Sequence, residues 1–135
     1  MRIRLSGDEA ASIQKAMMIL KAARKEAVGK EPSLKNRQAA EKIWLAVTTA
    51  ADAMVGPTRD AGQVFKAFGR AWGSEGETLA RDVQNALHVG CFYSDSKGCN
   101  GPYVDGYAVR VGRLISRRPR DSRIRARIAN ISRKA

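Results

Sequence analysis

The stretch RDVQNALHVGCFY, residues 81–93, carries the only histidine of a 135-residue chain, seven positions after an arginine. Imidazole exchanges protons near neutral pH, and a guanidinium grips phosphate with a planar fork. Residues of these types at Arg81 and His88 admit proton transfer beside a bound anion. The competing reading is a charged helix face that happens to include a histidine.

Charge gives the first bound on function. The formal net charge is +12, and it is unevenly placed. Residues 110–135 hold ten Arg/Lys against the single acid Asp121, so nine of the twelve net charges lie there. Nine of those ten are arginines, the residue suited to phosphate, and each one that reaches a phosphate releases a condensed counterion. The basic end therefore points to RNA or another nucleic acid, with Arg117, Arg118, Arg120, Arg123, Arg125, Arg127 and Arg133 as the contacting set. A solvated basic face is the plainer alternative. Ile124, Ile128 and Ile131 stripe the tail and are expected to dock it on the domain or a second subunit. No aromatic accompanies them for membrane-surface binding.

The composition, 44% hydrophobic and 28% charged, is that of a globular domain. No run of about 18 apolar residues is present for membrane spanning. The apolar run at 16–20 is too short and too deep in the chain for a signal peptide. A cytoplasmic protein without membrane association is expected.

The elements that must position Arg81 and His88 read as helices throughout. SGDE at 6–9 has the Ser-x-x-Glu form of a capping box, and Ile13, Met17, Leu20 and Ala27 mark a first helix ending near Gly29. After Pro32 and a Ser33 cap, Ala40, Trp44, Val47, Ala51, Met54 and Val55 stripe a second, stopped at Gly56-Pro57. A third follows Thr58, with Val64, Phe65, Phe68 and Trp72 inward, and ends at Gly73. SEGE at 74–77 opens the helix that carries Arg81 and His88. SDSKGCNGP (94–102) is turn chemistry, and 103–118 forms a fifth helix that Pro119 separates from the tail. The fold class is all-α, an antiparallel up-down bundle of four to five helices over residues 1–118, with an arginine-rich tail over 119–135.

At about 100° per residue, with Leu79 at zero, Val83, Ala86, Leu87, Gly90 and Cys91 fall in one apolar arc. Arg81, His88 and Phe92 cluster at roughly 180° to 220°, with Asn85 beside them at about 240°. His88 is thus expected off the core. A large apolar Phe92 on that polar face predicts a cover, most simply a second subunit.

Arg81-Asp82 followed by His88 fits the R-x(4–6)-H pattern of the HEPN superfamily, including the polar residue after the arginine. AAEKIWLAVTTAADAMVG (39–56) resembles the long helix of the archaeal PaREP branch, and ALHVGCFY (86–93) its Leu-His segment followed by Phe-Tyr. The resemblance runs from the first helix to Arg118 and leaves the tail outside. It implies a helical bundle, commonly a homodimer, whose active members cleave RNA without a metal or other cofactor. By that resemblance His88 is the general acid–base for attack of a ribose 2′-hydroxyl on the adjacent phosphate. Arg81 holds that phosphate, Asp82 or Asn85 orients the imidazole or a ribose, and the product is a 2′,3′-cyclic phosphate. A toxin–antitoxin module is then expected, with a small nucleotidyltransferase or other antitoxin as partner. The alternative is a non-catalytic helical dimer that binds nucleic acid through its tail.

Other constellations are weaker. His88, Cys91 and Cys99 lack a fourth soft ligand for a metal. Cys91 on the apolar arc reads as a buried free thiol, since two cysteines in a cytosolic chain give poor grounds for a disulfide. Trp44, Phe65, Phe68 and Trp72 lie on helical stripes and read as core.

Overall fold

The computed structural model describes residues 7–29, 33–56, 60–93 and 99–117, with the side chains of all but 7–12, 92 and 93. The tail positions Arg118, Arg120, Arg123, Arg125, Arg127 and Arg133, the Ser6 cap and the Phe92 side chain lie outside them. The described residues form α1 (Gly7–Glu26), α2 (Leu34–Val55), α3 (Ala61–Val83), a π-helix (Gln84–Tyr93) continuous with α3, and α4 (Gly101–Ile115). No strand occurs among them, and the helices pack as an all-α bundle. None of these helices is long and apolar enough to cross a membrane.

Local chemistry sets the ends. Ser33 caps α2, its Oγ accepting from the Asn36 N–H at 3.1 Å. The helix stops where the Gly56 N–H donates to the Asp52 carbonyl at 2.9 Å. Asp60 and Gln63 form a reciprocal capping box on α3, a carboxylate variant that the Ser/Thr pattern does not flag. The expected break at Gly73 is present as a kink: its φ of 75° is open to glycine at no steric cost and turns one half of α3 away from the other.

α4 begins two residues earlier than periodicity suggests. Asn100 Oδ1 accepts from the Tyr103 N–H at 3.0 Å, and Pro102 in the first turn loses no helical hydrogen bond. The Gly101 N–H donates to the Gly29 carbonyl at 2.9 Å. A Cβ at Gly101 would lie 2.7 Å from the Val28 carbonyl carbon, so this crossing of α4 over the end of α1 admits only glycine.

α2 lies at the centre of the bundle. Its buried face is rich in alanine (Ala39, Ala40, Ala46, Ala50, Ala51, Ala53), which lets neighbouring backbones approach closely. Phe68, Ile43, Met54, Leu87 and Leu114 fill the remaining core volume. Between α1 and α2, fully buried Asn36 takes the place of a backbone unit: Oδ1 accepts from the Val28 N–H at 2.8 Å and Nδ2 donates to the Val28 carbonyl at 2.9 Å.

The cysteines correct the expectation of a free thiol. Cys91 is buried, as its place on the apolar arc implies, but it is joined to another cysteine. The partner is equally buried Cys99, with Cα atoms 5.4 Å apart. Composition alone could not show that the fold sets Cys99, just before α4, against Cys91 of the π-helix.

Candidate active site

Arg81 is in the last turn of α3 and His88 in the first half of the π-helix that follows. The change of helix type decides where the imidazole points. From Gln84 the backbone bonds run i to i+5 instead of i to i+4, which shifts later residues relative to a wheel drawn at the α-helical period, although Leu87 and Cys91 are still buried where that wheel places them. A π-helix is rare and is found disproportionately at functional sites. His88, expected off the core, packs against α2 and keeps 22% of its side chain exposed.

Two α2 residues receive it. Glu41 Oε2 lies 2.6 Å from His88 Nδ1. A carboxylate can only accept, so Nδ1–H donates, and the basic lone pair of the neutral imidazole is then on Nε2. Trp44, one turn along the same face of α2, stacks on the imidazole with ring centroids 5.6 Å apart and planes inclined by 29°. Trp44 in turn meets Phe65 of α3 at 6.4 Å. The Arg81 guanidinium carbon sits 4.6 Å above the centre of the Phe65 ring. Arg81 and His88 thus occupy the two ends of a ladder of aromatic rings.

Arg81 is 55% exposed, and its Nε is 3.8 Å from Glu77 Oε2 one turn earlier on α3. An exposed pair of this kind is weak, so the guanidinium can exchange Glu77 for a phosphate while its face stays on Phe65. Asn85 is exposed. Asp82 lies within electrostatic reach of Tyr103 on α4. The Tyr103 phenol is held above its ordinary value, first by burial, then by its hydrogen bond and charge interaction with Tyr107, and last by the Asp82 charge.

The carboxylate found on His88 belongs to Glu41, which sequence reasoning missed. Its local signal is faint: Glu41 and Trp44 share a helix face at i, i+3, and nothing near position 41 refers to position 88. Trp44 and Phe65, expected in the core, are only half buried and line this site, whereas Phe68 and Trp72 are buried as expected. With Cys91 and Cys99 joined, the three-ligand metal reading of His88 loses both sulfurs. Among the described residues no group of three His, Cys, Asp or Glu is placed to hold a metal ion. No family model, curated protein or solved structure matches the chain.

Proposed function

We propose that this protein is a metal-independent RNA endonuclease of HEPN type, acting at the Arg81–His88 site. The observation that carries the reading is the 2.6 Å contact between His88 Nδ1 and Glu41. A carboxylate on one ring nitrogen fixes the tautomer and orientation of an imidazole whose other nitrogen moves a proton, the division of labour known from hydrolytic triads. In the proposed step Nε2 takes the proton of a ribose 2′-hydroxyl. The 2′-oxygen bonds to the adjacent phosphorus, and the bond from phosphorus to the 5′-oxygen breaks. That oxygen leaves with a proton from water, giving a 2′,3′-cyclic phosphate and a 5′-hydroxyl. Arg81 neutralises the charge that grows on the phosphoryl oxygens.

The active form in this reading is a homodimer that closes over the site. Leu45 and Val89, each next in sequence to a ring of the ladder, are 49% and 42% exposed and offer apolar contact. The test is incubation of the purified chain with RNA in EDTA, comparing wild type with His88→Ala. Loss of about 100- to 10,000-fold in rate is expected, and cleavage that persists in His88→Ala or requires a divalent ion rejects the assignment. Tight, salt-dependent binding without cleavage of any RNA favours the second reading, a nucleic-acid-binding protein that uses the exposed arginines of α4 and the tail.

A further inference from the structure

A groove of about 450 Å³ runs between the second half of α3 and α4. One wall presents Arg110 and Arg113 of α4 with Arg117 just beyond its end, all exposed, and the α3 wall presents the Ser74 and Thr78 hydroxyls with Glu75. The two helices run in opposite directions here. Arg117 meets Glu75 at 2.8 Å at one end, and Tyr103 lies within reach of Asp82 at the other. The groove therefore runs from the kink at Gly73 along the second half of α3.

Charge and ring placement say what fits. Three arginines face one carboxylate, and that carboxylate is engaged only in an exposed pair that a phosphate can replace. Along the α4 axis Arg110 and Arg113 are about 4.5 Å apart, and Arg117 follows just past the helix end, so successive guanidiniums can reach successive phosphates. At the other end of α4, Tyr103 is 42% exposed and meets Tyr107 edge-on at 5.4 Å. The Arg110 guanidinium lies 5.2 Å above the Tyr107 ring. An open groove lined by arginines, with tyrosines further along the same helix, suits a single strand, whose bases can stack while its backbone is tracked by charge.

We infer that the α3–α4 groove is the binding track for single-stranded RNA, with Arg110, Arg113 and Arg117 on phosphates and Tyr103, on the same helix, under a base. The inference rests on RNA being the ligand but not on cleavage. None of these residues belongs to the Glu41–His88 site.

The experiment is fluorescence anisotropy of the full chain with a labelled 2′-O-methyl oligoribonucleotide, which binds but cannot be cut at a 2′-hydroxyl. Arg110→Gln/Arg113→Gln is expected to weaken binding at least about 10-fold and to lower the salt slope by about 1.4, the value for two phosphate contacts on a single strand. Tyr103→Ala is expected to weaken it at least about 5-fold. The control Lys35→Gln/Lys66→Gln removes the same charge from exposed positions outside the groove, and it should bind like wild type. Circular dichroism confirms that each variant is folded. Equal affinity and slope in the arginine variant and wild type overturn the groove and leave the RNA reading standing, as does an equal loss in the lysine control. A wild type that does not bind RNA rejects both readings, and arginine-dependent binding of an acidic peptide instead assigns the groove to a protein partner.

Discussion

Glu41 and His88 are 47 positions apart in the chain and 2.6 Å apart in the fold. The contact exists because the π-helix after Val83 turns His88 toward α2, where Glu41 and Trp44 sit one turn apart. Its chemical content is that the imidazole is held by an acceptor on one side and a ring on one face.

Glu41→Gln tests that content. The amide keeps the size of the side chain and removes its charge, and it can offer Nδ1 a donor instead of an acceptor, which selects the wrong tautomer. RNA cleavage should fall by roughly 10- to 1,000-fold, less than in His88→Ala. Glu41 is partly exposed, so the thermal midpoint should shift little. Glu41→Asp should recover part of the rate, and single-turnover kinetics on one oligonucleotide checks all three variants.

Asn36→Ala tests the joint between α1 and α2. The substitution leaves the Val28 N–H and carbonyl without their buried partner, at a cost of about 1–3 kcal/mol for each group that water cannot reach. The denaturant midpoint should fall without a change in m-value. Asn36→Asp should be nearly as harmful, since it restores the acceptor for the Val28 N–H but not the donor to its carbonyl.

The Cys91–Cys99 bond closes a short loop between the π-helix and α4. Removing it as Cys91→Ser/Cys99→Ser should cost about 2–3 kcal/mol in the chain-entropy account of a loop this short, with a further loss from placing hydroxyls where sulfur is buried. Thiol titration of the denatured, non-reduced protein should find no free thiol, and reduction should release two. One arm of the loop is the helix that carries His88, so reduction should lower RNA cleavage along with stability.

Much of the fold is legible in the sequence because it follows from local rules. Ser33 and Gly56 bound α2, Gly73 breaks α3, and the apolar stripes lead to the buried residues of α2 and α3. Two kinds of information are not local. The π-helix over 84–93 packs against α2 and α3, and an α-helical wheel, which sets Leu87 and Cys91 in the core correctly, does not show that His88 meets α2. The Glu41–His88 and Cys91–Cys99 pairs depend on how distant elements cross, which spacing within one helix does not encode. Asn36 is equally hidden, because an asparagine near a helix start reads as capping chemistry until its side chain is seen paired with Val28.

Truncation after Arg118 tests the tail, whose seventeen positions include six Arg/Lys and one acid. If the tail neutralises phosphates, RNA affinity and its salt slope should both fall, the slope by up to about 0.7 for each single-strand phosphate that the shortened chain leaves un-neutralised. An unchanged slope would place all the phosphate-binding groups on the bundle.

Arg81 gives the sharpest separation of position from charge. Its side chain is 55% exposed, so Arg81→Ala opens no core cavity and should leave the stability within about 0.5 kcal/mol of wild type. Under the proposed mechanism cleavage should nevertheless drop by about 100-fold or more, because Arg81 is the group assigned to the charge developing on phosphate. Phe65→Leu acts differently: it retains apolar bulk and the arginine but removes the ring on which the guanidinium rests. A cation–π contact at an exposed site contributes about 0.5–1 kcal/mol, so the expected loss in kcat/KM is only about 2- to 5-fold. Arg81→Lys should resemble Arg81→Ala more than wild type, since an ammonium cannot bridge two phosphate oxygens while lying flat on a ring. If Phe65→Leu lowers cleavage as much as Arg81→Ala with the fold intact, Phe65 takes part in binding the RNA itself. If Arg81→Lys is fully active, the planar fork is irrelevant and Arg81 acts as a point charge.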